Sequence, residues 1–418
     1  MSAAQTTTQS ITIDHARSII LQSAPRPVDV LTVDLEQAVG TVCACDIAAG
    51  NPLPSYTNSA MDGYAFRYDD ICGLSRVTLK IVDHSFAGVP CQRTSFDSGT
   101  CIEIATGAAV PDALDTVIPF EKCNIDEERA TISFESASVK RAANIRYRGE
   151  QIPSGEIIVS AGTRLTSRHL ALLAAAGVAE VRVYKPVRVA VITTGSELVE
   201  PGRPLGRYQT YNSNGVMLAA QLQQLGAHVS RSAILQDCAD AIAQAIRLAL
   251  EDNDMVILTG GAGNGKFDLS QTQLGSMGSM QPWFVNIRPG RPMRLGRIGD
   301  KPVFVLPGNP VAAYVTFMEF VRGAVIKMQG LTHKFWPDEQ TAVLSCDVKK
   351  KAGRAEFMRG RIVGEDDGVP IVEPLQKQSS ADLVMLAQAD VIICLEHEPE
   401  QYHRGQRVRI QSLKEAVL

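Results

Sequence analysis

Between Val187 and Gly330 apolar strands alternate with amphipathic helices, and nothing else in the chain limits its folding as strongly. The segments are Val187 to Thr193, Gly215 to Leu225, Val229 to Leu235, Ala239 to Leu250 and Met255 to Thr259, followed by Val303 to Leu306 and Val311 to Met328. Uninterrupted apolar strands separated by helices predict a parallel sheet with helices on both faces. In such a sheet, ligands bind at the carboxyl ends of the strands, where loops and helix N-termini present free backbone N–H groups.

One core does not account for the whole chain. Its 418 residues exceed the roughly 250 to 300 that a single hydrophobic core supports, so several domains are expected. Apolar residues at 45% and charged residues at 21% place it among folded globular proteins rather than disordered chains. On the N-terminal side, Thr12 to Ile20 and Val28 to Cys45 predict two helices separated by the Pro25 to Pro27 breaker. From Pro52 to about Gly149 come short β-branched runs such as Arg76 to Val82, Thr100 to Ala105 and Ala130 to Phe134, the pattern of a small β domain. Leu165 to Val183 reads as helix then strand, with Gly177 as the helix stop. After Thr341 the chain returns to strands, with Arg361 to Val363, Val391 to Leu395 and Gln406 to Ile410 as candidates.

The net charge of −4, from 41 basic and 45 acidic side chains, excludes a general basic field for nucleic acid or an anionic membrane surface. Any anionic substrate must be held locally. The nine cysteines are scattered without a C-x-x-C pair, which argues against zinc and disulfide frameworks and for a reducing compartment. Met1 to Ser10 lacks the pattern of a secretion signal, and no run of 18 apolar residues occurs. A cytoplasmic protein is the expectation.

Three loops sit at the expected sheet edge: Thr193-Thr194-Gly195-Ser196-Glu197, the glycine run from Gly260 to Gly265 that includes Gly261 and Gly263, and Pro307-Gly308-Asn309-Pro310. Any one of them could be an ordinary strand-to-helix turn, but three in one domain favour anion binding. Gly260 to Lys266 also has the spacing of a nucleoside-triphosphate P-loop, yet Phe267 stands where a Mg²⁺-binding hydroxyl is required. Glu197, Asp237 and Asp268 follow strands on this edge and suit Mg²⁺ held together with phosphate, with helix capping as the alternative for each. Arg288 and Arg291 flank a Pro-Gly turn and suit bidentate pairing with oxyanions, with a solvated basic loop as the alternative.

Taken in order, Ser59 to Ala65, Thr106-Gly107-Ala108 with Pro111 and Asp115 to Pro119, Arg148-Gly149-Glu150, Thr194 to Leu198, the Gly260-Gly261 loop with Asp268, Arg288 to Pro292 and Leu306 to Val311 resemble the successive signatures of the MoeA family, which includes the C-terminal domain of gephyrin. The resemblance implies a multidomain α/β plus β protein. It would comprise an elongated helical N-terminal region (1–50 and 150–186), an inserted β domain (51–149), a central molybdopterin-binding parallel-sheet α/β domain (187–330) and a C-terminal β-barrel-like domain (331–418). It also implies a transferase that inserts molybdate into adenylated molybdopterin with release of AMP, using Mg²⁺. The implied assembly is a homodimer whose cleft combines the α/β and C-terminal domains of one subunit with the inserted domain of the other. Molybdopterin adenylyltransferase and molybdoenzyme maturation proteins are the implied partners.

By position, Asp62 and Thr106 would face the cleft from the inserted domain, Glu197, Asp237 and Asp268 would stand at the phosphate, and Asp237 with Asp268 would hold the metal. Thr194, Gly195, Ser196, Gly260, Gly261, Gly263, Pro307, Gly308, Asn309, Pro310 and Ser380 would contact substrate, while Arg288 and Arg291 would serve as catalytic cations. The chain departs from the family at Gln151, where an acid is expected, in the glycine loop, which lacks a hydroxyl residue, and in the basic turn, which has arginine for lysine. Two other classes stay open: a molybdopterin-binding scaffold that has lost catalysis, and a nucleotide-phosphate hydrolase that uses the degenerate P-loop.

Overall fold

The computed structural model describes residues 9–231, 234–260, 274–281 and 283–413. At its centre a six-stranded sheet runs in the order His228–Arg231, Arg188–Thr193, Met255–Thr259, Lys301–Leu306, Arg294–Ile298, Ser279–Met280. The first four strands are parallel. The expected parallel sheet is thus present in these four strands, and Arg294–Ile298 extends it by pairing antiparallel with both Lys301–Leu306 and Ser279–Met280. The cause is a hairpin turned by the Gly299-Asp300 pair, with Gly299 at φ +57, a short-turn signal that closes two strands without a crossover helix.

Burial explains why these strands read as continuous apolar runs. Val189 and Val191 pack with Leu218 and Leu222 of helix Ser213–Gln224 on one face, whereas Ala190 and Ile192 pack with Ile242 and Ile246 of helix Ala239–Asp252 on the other. With both faces covered, neither side of the strand alternates with polar residues.

The N-terminal segment joins the first of these cores. Helix Ile13–Ser23 is capped by Thr12, whose hydroxyl accepts from the His15 N–H, and it buries Ala16 and Ile20. The second expected helix does not form: Val30–Asp34 is a strand, antiparallel to Glu180–Tyr184. Pro25 and Pro27 hold the backbone extended, and the β-branched residues at 28, 30, 32 and 33 then favour a strand over a helix.

The helix expected at Val311 to Met328 is present as Pro310–Thr316 and Arg322–Met328 joined through a π-type turn, Phe317–Val321. That turn buries Glu319, which is 1% exposed and forms an ion pair with Arg17 of the N-terminal helix. Burial, opposed by Arg17, raises the carboxyl pKa above its ordinary value of 4.5. A raised carboxyl holds its proton more tightly in the folded chain. Its contribution to stability is therefore present below pH 4.5 and is lost as pH rises through the raised value. Glu319→Gln is accordingly expected to flatten the fall in melting temperature above that pH. A melting curve with the same pH profile in both proteins would remove Glu319 from that role.

The region between residues 58 and 135 builds a second six-stranded sheet, ordered Thr116–Pro119, Gly63–Phe66, Thr100–Ile104, Arg76–Ser85, Thr131–Glu135, Asn124–Asp126. At the C-terminal end, Ala355–Asp366, Val369–Pro374, Glu339–Leu344, Arg407–Ser412 and Val391–Leu395 close into a five-stranded barrel through pairing of the last with the first. Ile287–Arg288 adds to this barrel in parallel beside Ala355 and Glu356, which ties the arginine turn of the α/β domain to the barrel wall. No helix among the described residues is long and apolar enough to cross a membrane.

Candidate functional site

The three loops meet at the carboxyl edge of the central sheet. The Thr194 N–H donates to Thr259 O (3.0 Å), the Gly195 N–H to Leu235 O (3.0 Å) and the Gly260 N–H to Leu306 O (3.3 Å). Asn214, in the first turn of helix Ser213–Gln224, clamps two of the loops: its amide donates to Thr259 Oγ1 and to Gly308 O, both at 2.9 Å. Gly260 has φ +99, and a Cβ there would lie 2.5 Å from Thr194 O, so only glycine permits the loops to close. Thr194 Oγ1 and Asn214 Oδ1 are buried and have no hydrogen-bond partner among the described residues. These oxygens are acceptors at the strand edge that a polar ligand can use.

Of the acidic residues expected here, Glu197 is exposed and folds back so that its carboxylate lies over Gly195. Asp237 is exposed two residues beyond Leu235, whose N–H donates to Thr193 O and whose carbonyl accepts from Gly195. Exposed Ser196 and Glu197 belong to the first loop, and the backbone bonds of Leu235 bring the chain at Asp237 close to it. Gly261, Gly263 and Asp268 lie outside the described residues. Among the described residues no group of three His, Cys, Asp or Glu side chains is placed to hold a metal. Asp237, Thr194 Oγ1 and Asn214 Oδ1 are oxygen donors, the type a hard divalent ion such as Mg²⁺ takes together with phosphate.

The Pro307 to Pro310 loop leads into a second, basic half of the site. Asn309 Nδ2 donates to Ser380 Oγ (3.1 Å) and the Val311 N–H to Ser380 O (2.9 Å), so Ser380 of the C-terminal segment joins the α/β loop. A cavity of about 450 Å³ opens here, bordered by Arg288, Arg291, Arg354, Arg359, Asn309 and Ser380. Gly290 (φ +111) makes the turn possible, because a Cβ would come within 2.4 Å of Thr316 Cγ2. Arg288 pairs with buried Glu356 at 3.2 Å, and the Arg291 guanidinium lies 5.2 Å from the Phe284 ring centroid. Arg359 is 1% exposed; it donates to Lys377 O and Ser379 O, while its buried Nε has no partner among the described residues. Burial lowers its pKa.

Sequence reasoning missed Arg354, Arg359 and Asn214. The signal for Asn214 was available, since Asn212 is a helix N-cap directly after a strand and its side chain accepts from Gly215. The two arginines bracket Ala355-Glu356-Phe357-Met358 and have no local pattern of their own.

Asp62 and Thr106 come together in the inserted sheet, where the Thr106 N–H donates to Asp62 Oδ1 at 2.6 Å. That bond, and after it the Thr106 hydroxyl, holds the Asp62 carboxyl below the usual carboxylate range. Both side chains are exposed, and their hydrogen bonds stay within the inserted domain. Gln151 is exposed, and its backbone N–H donates to Leu53 O.

Three family models match in order: the MoeA N-terminal region (domain I and II) over residues 11–177, the "Probable molybdopterin binding domain" over residues 190–327, and the MoeA C-terminal region (domain IV) over residues 341–413. Molybdopterin molybdenumtransferase of Haemophilus influenzae is 34% identical over 401 residues, which is 96% of this chain and 98% of that protein. Molybdopterin molybdenumtransferase 2 of Mycobacterium tuberculosis is 32% identical, again over 96% of this chain and 98% of its own length. Among solved structures, the molybdopterin biosynthesis MoeA protein of Pyrococcus horikoshii superposes with a TM-score of 0.83 at 26% identity, covering 97% of this chain and 100% of that one. With its domain order, its near full-length relatives and its fold in agreement, the chain belongs to the MoeA family.

Proposed function

We propose that the chain is a transferase that inserts molybdenum into adenylated molybdopterin with release of AMP, completing the molybdenum cofactor. The observation that carries this reading is the junction at Pro307 to Pro310, where a loop cradle with the buried oxygens Thr194 Oγ1 and Asn214 Oδ1 adjoins a cavity bordered by four arginines. A substrate phosphate placed in the cradle would meet the loops at Thr194, Gly195, Ser196 and Gly260. Molybdate is a tetrahedral oxyanion, and guanidinium groups at Arg288, Arg291 and Arg359 supply the charge-assisted donors that such an anion needs in a chain of net charge −4. The basic half then holds molybdate beside the dithiolene, while Glu197 and Asp237 orient water toward the anhydride that releases AMP.

Asp237, with Asp268 carried over from the family, would hold Mg²⁺, whose chemistry is to neutralise charge on the pyrophosphate. Asp62 and Thr106 serve the cleft of a second copy of the chain, so the working unit is a homodimer. This reading is supported by two exposed, preorganised groups whose bonds do not reach the α/β loops of their own chain. A cytoplasmic site of action is supported by nine cysteines that are all unpaired.

Purified protein supplied with adenylated molybdopterin, Mg²⁺ and molybdate is expected to release AMP and yield metal-loaded cofactor, and to leave free ATP intact. Tight binding of adenylated molybdopterin without AMP release would favour a scaffold instead, and ATP hydrolysis would favour a nucleotide hydrolase.

A further inference from the structure

A second cavity, of about 580 Å³, opens where residues 39–42, 164–168 and 184–186 meet Gln223, Gln224, Gly226 and Gln329 of the α/β domain. It shares no lining residue with the cavity at the arginine turn. Among the described residues, Arg164, Arg168 and Lys185 are the cationic side chains that border it, and no Asp or Glu does. The nearest carboxylate to Lys185 is that of exposed Asp29, 3.9 Å from its Nζ.

Arg164 is the key group. Its Nη1 donates to Gly40 O (2.8 Å) and Leu225 O (3.2 Å), and its Nη2 to Gln329 Oε1 (2.8 Å). A guanidinium has five N–H groups, so these three bonds leave two without an acceptor among the described residues. All three acceptors are neutral, and burial alone pushes the guanidinium pKa down. Arg164 is half-buried, and a partly desolvated cation bonded only to neutral oxygens is stabilised by an anion that completes it.

A further element turns toward the same space. Thr166 caps helix Ser167–Ala175, whose first turn contains no acidic residue and includes Ser167 and Arg168 from the cavity lining. The capping box between Thr166 and His169 uses the N–H groups of those two residues, and the Ser167 and Arg168 N–H groups at the positive end of the helix dipole favour an anion. The volume falls in the range of small-molecule sites.

We propose that this cavity binds a small phosphate-bearing anion, held between Arg164, Arg168, Lys185 and the first turn of helix Ser167–Ala175. The anion touches the N-terminal region on one wall and the α/β domain on the other. Its binding therefore stiffens the junction on which the candidate cleft is mounted and stabilises the folded chain in proportion to its concentration.

Pyrophosphate is the probe. Titration calorimetry is carried out on the full-length Arg291→Gln chain, so that uptake at the arginine turn is weakened, with melting temperature followed in parallel. One pyrophosphate per chain and a concentration-dependent rise in melting temperature are expected. Adding Arg168→Ser with Lys185→Ser, two exposed positions that leave the core intact, is expected to weaken binding about tenfold or more. Arg164→Gln is expected to abolish binding if that chain folds, and the exposed pair keeps the test decisive if it does not. No binding up to about 10 mM pyrophosphate, or equal affinity in the Arg168→Ser, Lys185→Ser chain, overturns the assignment.

Discussion

Replacing Arg291 by Gln is expected to raise the molybdate concentration needed for half-maximal AMP release by about 10- to 150-fold, the loss of one charge-assisted hydrogen bond of roughly 1.5 to 3 kcal/mol. Arg291 is exposed, and its visible packing is against the Phe284 ring, so stability should change little. Arg288→Gln should behave differently. It would leave Glu356, 5% exposed, without its cation, and so should lower the melting temperature as well as molybdate affinity. Direct molybdate binding by calorimetry separates an anion-holding role from a catalytic one, because it requires no turnover. If the Arg291→Gln chain binds and uses molybdate like the parent, the oxyanion assignment of the basic turn fails.

The contrast between these two arginines bears on what a sequence can disclose. The strands of the central sheet were legible because helices cover both faces, leaving Val189 to Ile192 apolar at every position. The three loops were legible for a related reason: glycine and Pro-Gly-Asn-Pro punctuation at strand ends reports backbone demands, and the demand at Gly260 is a contact with Thr194 O that no side chain permits. Residues 28 to 45 misled because their apolar positions fit a helical period, while the prolines before them and the β-branched content set a strand that pairs only with distant Glu180–Tyr184.

The basic cavity was half legible. Arg288 and Arg291 sit on a recognisable turn, but Arg354 and Arg359 enter the site because Ile287–Arg288 lies beside Ala355 and Glu356, a long-range register with no local signature. For Ser380 the contact with Asn309 likewise emerges from the packing of the barrel on the α/β domain.

Subunit complementation should give the largest effect of all, because it restores activity to chains that each lack it. Asp62 is exposed, and its bond from the Thr106 N–H keeps it ionised, so Asp62→Asn removes a charge while the amide oxygen can still accept that bond. The Asp62→Asn homodimer should therefore fold normally and insert molybdenum poorly, as should an Arg291→Gln homodimer. In a heterodimer of the two, one cleft combines both defects and the other combines neither, provided the inserted domain serves the opposite subunit. Co-expression with two different affinity tags isolates this heterodimer, and it should recover about half the parental rate per dimer, since one of two clefts is intact. Were each cleft built from a single chain, every cleft in the heterodimer would carry one defect, and the rate would stay near that of the mutant homodimers. A fully active monomer in sedimentation would reject the shared cleft by a second route.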